Sequence, residues 1–220
     1  MKDVVLKRSI IYWRKMLHNP YKIVKMFEEE IAHYCGSKYA VSIDNCTDAI
    51  LLCCRYLKVE EITIPARTYL SVPQSILQAG GTIKFEDILW KGIYQLKPYP
   101  IYDAAKRLTS GMYIPNSFMC LSFHIKKHLK IGKGGMILTD SADAAAWFKR
   151  ARYEGRSEVS YHEDNIQECG WNMYMSPEHA TRGLMLMQNY PKHMPDIPED
   201  PPYRDLREFD LFKEYKNGKK

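Results

Sequence analysis

The spacing of apolar residues changes several times along the chain, and each change marks an element. From Tyr21 to Tyr34, Ile23, Met26, Phe27 and Ile31 recur at helical spacing, and Gly36 stops the run. An earlier helical stretch precedes Asn19-Pro20. At Ala40-Val41-Ser42-Ile43 the pattern becomes that of a short buried strand, and an apolar helix begins at Ala49. Further strands are predicted over 61–65, 82–87, 100–104, 118–124 and 135–139, with helices over about 71–78, 142–153 and 177–189. Short strands apolar on both faces, alternating with helices, predict an α/β fold: a three-layer sandwich around a mostly parallel sheet of about six strands. After Tyr190, the segment PKHMPDIPEDPPY holds five of the twelve prolines and is expected to be extended. It leads to a last predicted helix, 204–215, whose Leu206, Phe209, Phe212 and Tyr215 form one i, i+3 stripe that must cover something. The expected division is N-terminal helices over 1–34, an α/β domain over 35–190 and a Pro-rich tail with a short helix over 191–220.

Composition narrows the classes. A chain of 220 residues with 45% hydrophobic and 26% charged positions is long enough for a full core and excludes disordered, collagen-like and coiled-coil readings. No run of 18 apolar residues exists to span a membrane, and the charged start MKDVVLKRSIIYWRKM has no apolar core of a signal peptide. The 32 basic and 26 acidic residues leave +6, spread along the chain and not concentrated on one element, so no nucleic-acid partner is expected. The surplus reads either as mild attraction for an anionic ligand or as a solubility feature. Six cysteines without a C-x-x-C pair or zinc-like His spacing argue against a metal and for a reduced, cytoplasmic compartment.

In an open α/β sheet, ligands bind at the carboxyl ends of strands. After the first strand, Asn45-Cys46-Thr47-Asp48 opens a helix; Thr47 or Asp48 resembles a helix cap, and the free N–H groups of that terminus could equally hold an anion. After the fourth comes Asp103-Ala104-Ala105, a carboxylate beside small residues that let a flat ligand approach. After the fifth comes SFHIKKHL and then Gly132-Lys133-Gly134-Gly135; a lysine here could be a reactive amine or simply solvated.

Taken in order, these segments resemble the DegT/DnrJ/EryC1/StrS family of sugar aminotransferases, pyridoxal-phosphate enzymes of fold type I. The resemblance rests on FEEEIAHYCGSKYAVSIDNCTDAILL, IPARTYLS, Tyr102-Asp103-Ala104-Ala105-Lys106, SFHIKKHL with GKGGMILTD, Arg152 to Gly155, and GWNMYMSPEHATRGL, and covers about residues 27–190. It implies the large domain of that fold and pyridoxal 5′-phosphate as cofactor. It further implies ping-pong transfer of an amino group from an amino acid such as glutamate to a nucleotide-linked keto sugar.

The resemblance also assigns residues. Lys127 falls on the lysine that carries the cofactor and then serves as acid and base, with Lys126 its solvated or phosphate-side neighbour. Asp103 would meet the pyridine nitrogen and Tyr69 would stack on the ring. The backbone N–H groups of Cys46 and Thr47, the side chain of Thr47 or Asp48, and Ser122 would hold the phosphate, and Lys106 would lie beside the cofactor. Asn172 resembles the residue that reaches the phosphate of the neighbouring subunit, implying a homodimer with a shared site. Four positions depart from the family pattern: Cys46 for a glycine, Lys106 for Gln or His, Lys133 for Glu, and Tyr174 for Arg. The spacing also implies a shortened form. Asp87 and Pro100 are joined by twelve residues where relatives carry a strand, a loop and a helix, and no counterpart of the C-terminal domain is recognised. The strand at 100–104 is therefore expected beside that at 61–65. The alternative reading is a degenerate, non-catalytic member acting as a cofactor-binding or partner subunit.

Overall fold

The computed structural model describes residue 19 and residues 21–215; the helical stretch expected before Asn19 lies outside them. In chain order the elements are α1 (Lys22–Cys35), β1 (Tyr39–Ile43), α2 (Cys46–Leu57), β2 (Glu61–Pro65), α3 (Ser71–Gln78), β3 (Thr82–Glu86), β4 (Tyr94–Leu96), β5 (Ile101–Asp103), β6 (Phe118–Ser122), β7 (Gly135–Thr139), α4 (Ala142–Ala151) and α5 (Pro177–Met187). Two 3₁₀ turns come last, Leu206–Glu208 and Asp210–Tyr215.

Five strands pair in the order β1-β7-β6-β5-β4, and β2 pairs with β3. A two-way backbone bridge between Thr63 and Lys97, at 2.8 and 3.1 Å, joins β2 to the end of β4 and makes one seven-stranded surface. The pairings run β1, β2, β3, β5 and β6 in one direction and β4 and β7 in the other. The sheet is thus mixed, and it has a strand more than the six expected.

The additional strand corrects the expected order. β5 does not lie beside β2, because Tyr94–Leu96 from the twelve-residue link stands between them. An unfilled position there would leave two strand edges unpaired inside the molecule, and the returning link supplies the missing N–H and C=O groups.

The three layers arise from alternation within strands. Phe118 and Cys120 of β6 and Ile137 of β7 face α2, α3 and α4, whereas Met119, Leu121, Met136 and Leu138 face α1 and α5. On that second face a buried ion pair joins α1 to the chain after α4. Arg152 meets Glu28, and both bond to Ser42 of β1.

The final helix expected over 204–215 is two 3₁₀ turns. Leu206, Phe209, Phe212 and Tyr215 are three apart, a spacing that eclipses within each 3₁₀ turn, and the extended Phe209 joins the two turns. Leu206 and Phe212 are buried, and the Phe212 ring packs on Phe85 of β3 with centroids 5.7 Å apart.

Candidate active site

The carboxyl ends of β1, β2, β5 and β6 open into a cleft of about 520 Å³. One end is the α2 N-terminus. Its cap is Asn45, not Thr47 or Asp48: the Asn45 side chain accepts from the Asp48 N–H at 2.9 Å. The amides of Cys46 and Thr47 have no carbonyl a turn earlier and so stay available to an anion. β7 comes close against this turn because residue 135 is glycine; a Cβ there would meet the Cys46 nitrogen at 2.7 Å.

Cys46 stands where the family pattern has glycine, and its side chain turns out of the way. Its sulfur faces the Cys120 carbonyl at 3.6 Å, and burial pushes the thiol well above its ordinary pKa, so it stays neutral. Thr47 Oγ1 lies 2.7 Å from the Ser71 hydroxyl, and both residues line the cleft, as does Ser122.

The floor is Asp103. Its Oδ1 accepts from the Ala105 N–H and its Oδ2 from the Tyr94 hydroxyl, both at 2.9 Å, and Tyr94 in turn meets Thr68 at 2.7 Å. Burial raises the Asp103 pKa; those hydrogen bonds and the charges of Lys127 and Lys106 oppose the rise. Lys127 is half-buried on the cleft wall, and its charge also acts on Cys46 and Lys106; Lys126 lies on the rim, exposed.

Of the nine residues singled out in the sequence, seven line this cleft: Cys46, Thr47, Tyr69, Asp103, Lys106, Ser122 and Lys127. Asp48 does not. Its carboxylate accepts from the Asn45 amide at 2.6 Å on the far side of the cap, and burial, followed by Asp44, raises its pKa to about 6. A carboxylate turned toward other acids there is a poor partner for an anion. Asn172 also lies off the cleft, exposed, with its amide donating to Glu154 at 2.9 Å.

The sequence reading did not single out Tyr94, Thr68, Trp90 or Tyr203. Tyr94 carried a faint signal, since Tyr94 and Leu96 are buried and Gln95 is not, but three residues are too few for alternation to register. Tyr203 arrives from the Pro-rich tail, which crosses the cleft. Lys106, nearly enclosed, donates to the Pro198 carbonyl at 3.2 Å, and its ammonium lies 4.7 Å from the Tyr203 ring centre.

A sequence profile of the DegT/DnrJ/EryC1/StrS aminotransferases matches residues 11–114 and 114–194. The chain belongs to this family. It is 22% identical over 238 residues to GDP-perosamine synthase of Caulobacter vibrioides, covering 88% of this chain and 63% of that one. It is 21% identical over 216 residues to the spore coat polysaccharide biosynthesis protein SpsC of Bacillus subtilis, covering 73% and 55%. The chain therefore spans between half and two thirds of these relatives. Its fold is similar to that of Helicobacter pylori PseC, an aminotransferase involved in pseudoaminic acid biosynthesis, with a TM-score of 0.63, 16% identity and coverage of 76% and 57%. S. venezuelae DesV gives a TM-score of 0.61 at 18% identity, covering 75% and 56%.

The cleft's donor set fits the family's cofactor, pyridoxal phosphate. Uncapped amides and hydroxyls suit a phosphate at one end, a buried carboxylate suits a protonated ring nitrogen at the floor, and an amine lies on the wall between them. Among the described residues, no cluster of ligands suited to a metal ion is present, and no helix is long and apolar enough to cross a membrane.

Proposed function

We propose that the protein is a pyridoxal-phosphate-dependent aminotransferase that moves an amino group from an amino acid such as glutamate to a nucleotide-linked keto sugar. The observation that carries this reading is Lys127 and Asp103 in one cleft, beside the open N-terminus of α2. When bound, pyridoxal phosphate supplies an electron sink. The amides of Cys46 and Thr47, with the Thr47 and Ser122 hydroxyls, would hold the phosphate. Asp103, kept in position by Tyr94 and the Ala105 N–H, would accept from the protonated ring nitrogen. Tyr69 offers an aromatic face to stack on the ring. Lys127 would hold the cofactor through Nζ, and the same amine, once freed by the incoming amino group, would take and return the substrate proton. The names of the relatives, which concern perosamine, spore coat polysaccharide and pseudoaminic acid, support a sugar as the acceptor.

Asn172 belongs to the same proposal as a residue offered to a partner's site, making the protein a homodimer. So does a reducing, cytoplasmic setting: all six cysteines are free, and the Cys53 and Cys120 sulfurs lie 3.7 Å apart without a bond.

The test is the absorbance of the purified protein with added pyridoxal phosphate. A visible band that borohydride removes is expected. Its absence would assign the chain to a non-catalytic partner role.

A further inference from the structure

We infer that Tyr203, carried into the cleft on a strap formed by residues 196–203, is a specificity-determining residue that limits the group able to enter beside the cofactor. This rests on the pyridoxal phosphate reading of the same cleft.

The strap is fixed before it reaches the cleft and again after it leaves. On the near side, the Asp196 carboxylate takes both Nε and Nη2 of Arg107 at 2.8 Å, and the Ile197 N–H donates to the Lys106 carbonyl at 3.0 Å. Asp196 also lies against Gly92, whose φ of +70° and missing side chain make the contact possible; a Cβ there would collide with the carboxylate. On the far side, the Leu206 N–H donates to the Ala66 carbonyl at 2.9 Å, and the buried Phe212 pins the second 3₁₀ turn. Between these ends the chain carries Tyr203 over the mouth. Its ring stacks on Trp90, with centroids 6.2 Å apart and planes 17° from parallel, and stands 6.3 Å from Tyr69. Lys106 lies beneath both strap and ring.

The consequence is one of size. A cleft of about 520 Å³ falls in the lower half of the roughly 300–1,000 Å³ range of small-molecule sites. Once a phosphorylated pyridine takes its share, the space under Tyr203 suits one compact substituent. A substrate ring entering beside the cofactor must pass Tyr203, whose plane is inclined 62° to that of Tyr69, with any nucleotide outside the strap.

Reduced phosphopyridoxyl adducts of alanine and of tryptophan test this without turnover, with binding followed by tryptophan fluorescence on the full chain. The unaltered protein is expected to bind the alanine adduct at least about tenfold more tightly. Tyr203→Ala narrows the gap to about twofold by improving the larger adduct, Asp196→Ala does the same by freeing the strap, and Tyr203→Phe keeps the original preference. A ratio unchanged in both Tyr203→Ala and Asp196→Ala overturns the role of Tyr203 while leaving the cofactor reading intact. Failure of the unaltered protein to bind either adduct overturns both.

Discussion

Cys46 places a side chain in a turn whose family pattern is glycine, and local packing reconciles the two. The thiol points down to Cys120, so the amide remains presented to the cleft. Two positions along, Asp48 shows the opposite outcome, a carboxylate near an anion-binding helix start that is turned away and held by Asn45. Its pKa of about 6 has a thermodynamic sign. A carboxyl whose folded pKa lies above its unfolded value favours the fold while protonated, and that stability is lost as pH rises from about 4 to about 6. Asp48→Asn is therefore expected to remove a downward slope from the plot of unfolding free energy against pH in that window. Chemical denaturation at a series of pH values measures this, and a slope unaltered by the substitution would contradict it.

At the scale of elements, what the sequence made legible and what it concealed have different physical causes. β2, α3 and β7 have the predicted bounds because Ile62 and Ile64, Val72 and Ile76, and Met136 to Leu138 set a clear local period, and Gly80-Gly81 and Gly134 interrupt the chain beside α3 and β7. β4 was hidden because it has three residues, and its pairing depends on strands distant in sequence. The terminal 3₁₀ turns were read as an α-helix because a spacing of three suits either geometry over so short a run. The cleft's charged residues could be located from strand ends and family motifs, whereas Tyr94 and Tyr203 reach it only through tertiary contacts. Arg152 was legible as a motif but not in its contacts: it ties α1 to β1 through Glu28 and Ser42. Arg152→Leu would leave the Glu28 carboxylate buried without its partner, at a cost of about 3–5 kcal/mol. Urea unfolding would show this, and a loss below about 1 kcal/mol would mean that the pair contributes little.

Across the whole molecule, the helical layers fix the sheet, the sheet fixes the cleft, and the proline-rich tail supplies the cleft's outer wall. The proposal offers Asn172, exposed and bonded to Glu154, to the site of a second copy. Light scattering at micromolar concentration is expected to give about twice the 25.8 kDa of one chain, and a monomer that still binds pyridoxal phosphate tightly would contradict the shared site. Most central to the proposed chemistry is which amine holds the cofactor. Four lysines line the cleft, Lys106, Lys126, Lys127 and Lys133, but Lys106 is tied to the strap, Lys126 is exposed on the rim and Lys133 pairs with Asp44 at 3.1 Å. The decisive measurement is peptide mass mapping after borohydride reduction of the protein loaded with pyridoxal phosphate. A single phosphopyridoxyl group on Lys127 is the predicted result; the group on Lys106, Lys126 or Lys133, or on no lysine, would contradict it.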